Sequence, residues 1–539
     1  MTKITSQVES KVRRRRWWIL GVIIAGLVVA ILTIRWSDTL AADRERQIGY
    51  QWLSYLVAVL LTVFWMLFLA GAGWRARLII LAGLFCAGLA FRVLVRNVDL
   101  SGDLVPTFEF RWKPNQDAIL AEHRQSHRLD DAKAAIQIEQ VPEEEISPGY
   151  RGLHRDGRVG EQSISLHWDA QPPSCRWHQP IGVGYSGFAV FGPMLVTLEQ
   201  RNADEAVVAY DAKSGRELWD YSYPAFFTSV LSGEGPRATP CICDGKVFSV
   251  GATGQLASVD LATGHADWQV DLVAENGMAL LDAGIAASPL CVGPNVVVNV
   301  GTQGGNEKSR ALLAFDRGTG HRAWAGGTAN SGYSSPMLVT MAGTELILVY
   351  DRMGLVGYDP RSGDHLWRYE IEDNFNIVAA QPVLLPGDRV FFGTDVQGFL
   401  VQVTQADGTW STELVWQGNS LRCGFCSPIV VAGSIYGLDK GIMACIDADT
   451  GKRRWKGGRF GHGQMLLVDN CFLVVSEMGE VSLVAVDPSE FRELGRFEAI
   501  EGKTWNIPSL VGGHLFIRNH HEMACYDLAP RNVTADSRN

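Results

Sequence analysis

From residue 146 onward, apolar and polar positions alternate in short runs, and the runs keep ending on the same punctuation. In residues 207–223, VVAYDAKSGRELWDYSY, an apolar run reaches Asp211, turns at Ser214-Gly215 and leaves through Trp219. The pattern returns around Asp260, Gly264 and Trp268, around Asp316, Gly320 and Trp324, around Asp359, Gly363 and Trp367, and around Asp447, Gly451 and Trp455. Weaker copies carry Asp407-Gly408 with Trp410, Asp487, and Asp527. Alternation with period two predicts strands, and Gly, Asp and Ser predict tight turns between them. Repeats of about 40–50 residues bury their faces only against neighbours, and four short strands in that length make one β-propeller blade.

Most repeats open on a Ser-Pro-like pair: Thr239-Pro240, Ser288-Pro289, Ser335-Pro336, Gln381-Pro382, Ser427-Pro428 and Ile507-Pro508. Gly187-Phe188 and Gly463-Gln464 stand at the same place in the first and seventh repeats. Proline is tolerated at the first residue of a strand, where its missing N–H breaks no ladder bond. The last repeat stops after residues 523–528, without turn, tryptophan or outer strand, while an orphan tryptophan strand, residues 174–182, precedes the first. An open sheet edge is a liability. The strand around Trp177 is therefore expected to complete the last blade, which keeps the count at eight.

The N-terminal region reads differently. Residues 17–34, 52–72 and 78–95 are apolar stretches, the last interrupted by Arg92, each long enough to cross a hydrocarbon core of about 30 Å. Lys3, Lys11 and the run Arg13 to Arg16 precede the first, and Arg75 and Arg77 lie between the second and third. Arg35, Arg44 and Arg46 between the first and second are mixed with Asp38, Asp43 and Glu45. The positive-inside rule then puts the N-terminus in the cytoplasm and everything after the third span outside it. The expected division is a basic tail (1–16), a three-helix anchor (17–97), a juxtamembrane segment with a helical spacer (98–145), an eight-bladed propeller (146–530) and a polar tail (531–539). The fold class is all-β, an eight-bladed β-propeller preceded by three transmembrane α-helices. The expected place is the bacterial inner membrane, with the propeller on its periplasmic side. A net charge of −10 gives no electrostatic support for a nucleic-acid partner.

The DxxTGxxxW turn with its upstream Ser-Pro strand resembles the repeat of the pyrroloquinoline-quinone (PQQ) propeller superfamily. That group holds quinoprotein alcohol and glucose dehydrogenases, and also non-enzymatic relatives such as the propeller lipoprotein of the outer-membrane β-barrel assembly machinery. Residues 149–159, GYRGLHRDGRV, resemble the F-R-G-x-x-x-D-G opening of uncharacterised bacterial PQQ-like proteins, and residues 99–114 resemble the juxtamembrane R-W-x-P segment of their membrane-anchored members. The resemblance implies that the repeat aspartates are turn residues. It likewise implies that Trp177, Trp219, Trp268, Trp324, Trp367 and Trp455 dock blades together. The dehydrogenases carry a vicinal Cys-Cys disulfide, and no two cysteines are adjacent here. Their calcium-binding Glu and Asn and catalytic Asp find no assigned counterparts, so PQQ with calcium stands only as the alternative cofactor.

Candidate chemistry is sparse. Cys423 and Cys426 form a CxxC pair in a loop before a strand, a candidate redox pair set against simple packing. Cys241 and Cys243 share a strand face and read as packing residues ahead of soft-metal ligands. His520 and His521 point to opposite faces of an apparent strand, so no metal site is expected. Counting back from the strand openings gives Tyr185, Arg237, Ala286, Tyr333, Ala379, Phe425, His462 and Trp505. Blades related by rotation would set these around one channel mouth. Tyr185, Arg237, Tyr333, Phe425, His462 and Trp505 are the candidate binding residues there, suited to a planar anionic ligand or a peptide. Residues 223–238 form the longest loop on that side, a candidate lid or partner contact. The function expected is a binding or scaffolding module of the cell envelope with a protein or peptide partner; the alternative is a quinoprotein dehydrogenase passing electrons to the membrane.

Overall fold

The computed structural model describes residues 2–36, 44–70, 73–126, 141–160, 162–168, 171–229, 232–301, 309–327, 332–371 and 379–530. The chain divides into two compact units, Met1–Asn115 and Gln116–Asn539. The polar tail and the second half of the expected spacer, residues 127–140, lie outside the described residues.

The first unit holds three long helices. α1 (Thr2–Arg35) includes the basic tail, α2 (Arg44–Phe64) runs on as a π-helical turn, Trp65–Leu69, and α3 (Trp74–Leu94) follows. Their apolar parts, Trp17–Arg35, Gln47–Leu69 and Trp74–Leu94, have mean hydropathies of 2.6, 2.2 and 2.0, and each is long enough to cross a membrane. The second and third begin a few residues before the apolar runs because α-helix accommodates the polar starts. Arg75 and Arg77 consequently fall in the first turn of α3. α3 passes directly into a hairpin of β1 (Val95–Leu100) and β2 (Pro106–Phe110).

The second unit is an eight-bladed propeller of antiparallel meanders. Blade 1 is built from β6 (Ala189–Phe191), β7 (Met194–Arg201), β8 (Asp204–Asp211) and β9 (Glu217–Pro224). Blade 8 closes as expected: β5 (Ser174–Pro180) pairs with the strand Glu522–Asp527, with Trp177 opposite Cys525. A buried ionic network fastens the same junction. Arg518 of blade 8 donates to Thr197 Oγ1 at 2.7 Å, Leu198 O at 3.0 Å and Gly182 O at 2.8 Å in blade 1. Behind it, Arg201 bridges Glu199 at 2.9 Å and Glu217 at 3.0 Å. The helix Gln116–Ser126, which opens the expected spacer, docks on this blade: Arg124 pairs with Glu217 at 2.6 Å and Gln116 Nε2 donates to Ile181 O at 2.7 Å.

Each complete repeat motif makes an inter-blade joint, with a tryptophan ring on its glycine turn. The Asp260 carboxylate accepts from the N–H and hydroxyl of Thr263 at 3.0 and 2.8 Å, shaping a turn that ends at Gly264 with φ +73°. Trp219 of the preceding blade lies on that turn and donates Nε1 to Leu261 O at 2.9 Å. A Cβ on Gly264 would fall 2.7 Å from the indole, so the turn needs glycine for both conformation and space. Trp177, Trp268 and Trp455 donate in the same way to Ala212, Arg317 and Asp487 at 2.8–3.0 Å. Trp324 and Trp367 are buried as well, but their indole N–H groups find no acceptor among the described residues.

Two weak repeats differ from the expected register. In blade 5, Asp407-Gly408 is the tip of a long hairpin, Trp410 pairs near that tip with Gln405, and Trp416 is the docking residue, donating to Ala448 O at 3.0 Å. In blade 7 the backbone of Ala485, not Asp487, makes the turn bond that Asp447 makes in blade 6. Gly495 then occupies the tryptophan position, and Trp168, only 2% exposed, fills the space above it.

One further segment crosses the propeller axis. β3 (Ile146–Ser147) pairs with β6 of blade 1, and β4 (Arg158–Val159) pairs in parallel with the inner strand of blade 7. Between them, Pro148 O accepts from Ile242 N of blade 2 at 2.7 Å. Arg155 donates to Ser288 O at 3.2 Å and to Pro289 O in blade 3, and to Pro336 O of blade 4 at 3.0 Å. Arg151 reaches Pro428 O of blade 6 at 3.2 Å. Both arginines are buried with φ near +60°, a conformation held here by what their side chains bind. GYRGLHRDGRV is a plug, and it binds the backbone of the Ser-Pro openings of blades 3, 4 and 6 directly.

Candidate functional site

The rim of the mouth is held by a belt of hydroxyls. The N–H of Gly187 donates to Thr239 Oγ1 at 3.1 Å, Thr239 N to Ser288 Oγ at 2.9 Å, and Ser288 N to Ser335 Oγ at 2.9 Å. Gln381 N donates to Ser427 Oγ at 2.9 Å, and Asn506 Nδ2 to Ser186 O at 2.8 Å. Thr239, Ser288, Ser335 and Ser427, each before a proline, are hydroxyl residues because each accepts from the same position one blade back. That belt fixes the residues immediately above it.

Four of those residues meet, one each from blades 6, 7, 8 and 1. Phe425 lies 5.4 Å from His462 and 5.5 Å from Trp505, centroid to centroid, and Trp505 lies 5.5 Å from Tyr185. Phe425, His462 and Trp505 are half-buried and Tyr185 is buried. Glu477 sets their orientation: Trp505 Nε1 donates to Oε1 at 3.1 Å and His462 N to Oε2 at 3.2 Å. Lys503 places its ammonium 3.8 Å from the Trp505 centroid and 5.3 Å from Tyr185. Arg237 stands over Tyr185 at 5.6 Å and over Phe227 at 4.9 Å. Its guanidinium is pinned by the carbonyls of Ser232 at 2.6 Å, Gly233 at 3.0 Å and Gly235 at 2.8 Å. Burial lowers its pKa to about 10, which leaves it cationic at neutral pH.

The other half of the rim is different. Tyr333 of blade 4 accepts from Ala283 N at 3.4 Å and has no ring contact with the cluster among the described residues, while Ala286 and Ala379 present small side chains. The mouth is thus two-sided, with an aromatic, cationic arc facing a low one. The loop at 223–238 folds onto the arc: Thr228 pairs with Glu234, and Gly233 packs against the Tyr185 ring.

The model of the family described as outer membrane protein assembly factor BamB matches residues 166–305 and 203–457. The chain belongs to that family. Among solved structures it resembles quinohemoprotein alcohol dehydrogenases from Pseudomonas putida (14% identity, TM-score 0.53, 76% of this chain and 84% of that one) and Comamonas testosteroni (12%, 0.52, 78% and 86%). It also matches BamB from Moraxella catarrhalis at 14% identity and a TM-score of 0.49, over 67% of this chain and 99% of that one. The likeness to the two dehydrogenases shows the shared propeller fold. No curated protein matches the chain.

Against that family fold, the CxxC pair sits in the wall. Cys423 and Cys426 are free thiols, 1% and 4% exposed. Burial pushes both thiols up, Cys426 to about 12, so neither is a thiolate at neutral pH. The mouth residues that sequence counting does not find are Lys503, Glu477 and Phe227. Lys503 and Phe227 stand in connecting loops and Glu477 just past a strand, away from the repeated position, and only the alternating repeat carried a positional signal.

Proposed function

We propose that the chain is a membrane-anchored binding module of the bacterial cell envelope, carried on three helices with its N-terminus in the cytoplasm and the propeller on the periplasmic side. The observation that carries this reading is the two-sided mouth. A half-buried aromatic arc with two cations, closed from beneath by the plug, suits a peptide segment or loop bearing an aromatic and an acidic side chain. Arginine-rich flanks before the apolar part of α1 and at the start of α3 support the topology, and the family description, an assembly factor of the outer membrane, supports a protein partner.

The quinone cofactor of the dehydrogenase relatives fits these residues poorly. Calcium-bound PQQ calls for carboxylates and an amide converging in the channel. Here Glu477 is already engaged by Trp505 and His462, and Arg151 and Arg155 cross the axis. Titrating the full chain in detergent with PQQ and calcium, read by tryptophan fluorescence and thermal shift, tests this. No saturable change up to high micromolar PQQ is expected. Saturable binding with a raised melting temperature would restore the dehydrogenase reading.

A further inference from the structure

Three cysteines gather on the inner strands of blades 2 and 3, away from the CxxC pair. Cys241 and Cys243 are two apart on the strand Cys241–Cys243 and so share a face. Cys291, on the strand Leu290–Val292 of the next blade, stands with its Sγ 3.6 Å from Cys241 Sγ, and its thiol is also within hydrogen-bonding reach of Cys243. Each outer cysteine faces a guanidinium: Arg317 Nη1 donates to Cys243 Sγ, and the buried Arg155 of the plug lies beside Cys241. Cys241 is buried, whereas Cys243 and Cys291 are half-buried.

This is the environment of a reactive thiol rather than an inert one. The hydrogen bond shared with Cys291, helped by Arg155 against the effect of burial, draws the Cys241 thiol down to about 6. Its bonds to the two outer sulfurs, with burial, push Cys291 up, which makes it the proton-bearing member. The three sulfurs do not gather within reach of one ion, so a shared thiolate-bound metal is disfavoured. Two sulfurs already at van der Waals contact need about 1.5 Å of approach to reach the bonded distance of about 2.05 Å.

We propose that Cys241, Cys243 and Cys291 form a thiol–disulfide exchange site in which Cys291 is the shared partner of the other two. The co-reactant is an accessible disulfide, of a small thiol or of a dithiol protein. The half-buried Cys243 thiolate attacks one sulfur of that disulfide. The first leaving thiolate departs and takes up a proton, and a mixed disulfide remains on Cys243. Cys291 loses its proton, attacks Cys243 Sγ and expels the second thiolate, forming Cys243–Cys291. Cys241 then attacks Cys291 Sγ, which forms Cys241–Cys291 and returns Cys243 to the thiolate beside Arg317. The incoming disulfide is reduced to two thiols, and two protein thiols are oxidised. The final bond ties blade 2 to blade 3 beside the plug, where a Cβ on Gly149 would lie 3.8 Å from Cys241 Sγ.

The test uses the full chain in detergent with Cys86→Ser and Cys175→Ser, which remove the exposed thiols. The protein is incubated in oxidised/reduced glutathione mixtures, quenched in acid, alkylated, digested and mapped by mass spectrometry. The expected result is the loss of two alkylatable thiols per chain, recovered as Cys241–Cys291 and Cys243–Cys291 peptides. Cys241→Ala should leave only the second, and Cys291→Ala should leave neither, with glutathione retained on Cys243. Recovery of all three as alkylated thiols in fully oxidised glutathione, or a Cys241–Cys243 bond that survives Cys291→Ala, would overturn the proposal. The mapping of the parent protein decides the first point even if a variant fails to fold.

Discussion

Arg155 Nη1 lies 3.0 Å from the carbonyl oxygen of Pro336, so a side chain from the segment that opens the propeller reaches the inner strand of its fourth blade. The same guanidinium holds carbonyls of blade 3. A repeat architecture is stabilised blade against blade, with each contact local. The plug adds a second kind of bond, across the axis.

Removing it should therefore weaken the ring as a whole. Hydrogen bonds to a charged group contribute about 1.5–3 kcal/mol each, and truncation leaves buried carbonyls unpaired. Arg155→Ala is expected to destabilise the propeller by about 3 kcal/mol or more, read as a lower midpoint in chemical denaturation. An unchanged midpoint would mean that the plug is an ornament.

The turn joints predict a different pattern. Gly264→Ala forces a side chain into a φ of +73° and against the Trp219 ring. Trp219→Phe removes one indole hydrogen bond and keeps most of the packing, for about 1 kcal/mol. Thermal melts should rank Gly264→Ala as the more damaging, and a reversed order would contradict the docking role.

The blade 8–blade 1 junction carries a pH signature. Burial raises the Glu199 carboxyl, but Arg201, Arg518 and the Tyr210 hydroxyl outweigh it and hold it below the ordinary glutamate value. A depressed folded pKa contributes stability that is fully present above the unfolded value of about 4.3 and lost as pH falls through the folded one. Denaturation midpoints measured between pH 6 and pH 3 should fall in the acid range, and Glu199→Gln should flatten that part of the curve. An identical acid slope in the variant would remove Glu199 from the account.

Much of this molecule could be read from its sequence, because repeated local chemistry leaves a repeated signal. Asp211, Ser214, Gly215 and Trp219 announce a turn and a joint wherever they recur, and the unpaired strand at Trp177 announces closure. Counting from the strand openings also found Tyr185, Phe425, His462 and Trp505, which meet. What stayed hidden is what happens once. Arg151 and Arg155 act across more than a hundred residues of chain, and Trp168 fills a gap left by Gly495 in another blade. Cys291 matters only because rotation of one blade to the next brings it to Cys241. None of these has a period, so no pattern in the sequence points to them.

The mouth itself makes a separable prediction. Lys503 is 7% exposed and its contact with Trp505 is a cation–π pair, worth about 0.5–2 kcal/mol. Lys503→Met loses that contact, read as a lower melting temperature, and removes the charge that faces an acidic partner. A large loss of stability would mark Lys503 as a structural residue.

The most direct test of the binding role is site-specific photocrosslinking in living cells. A photoreactive amino acid would replace Phe425 in the aromatic arc, with a control at Asp244, in the turn at the far end of the inner strand of blade 2 from Pro240. The account predicts a discrete crosslinked envelope protein from position 425, absent from position 244 and lost when Lys503→Glu reverses the local charge. No product from position 425, or the same products from both positions, would contradict a partner at the mouth.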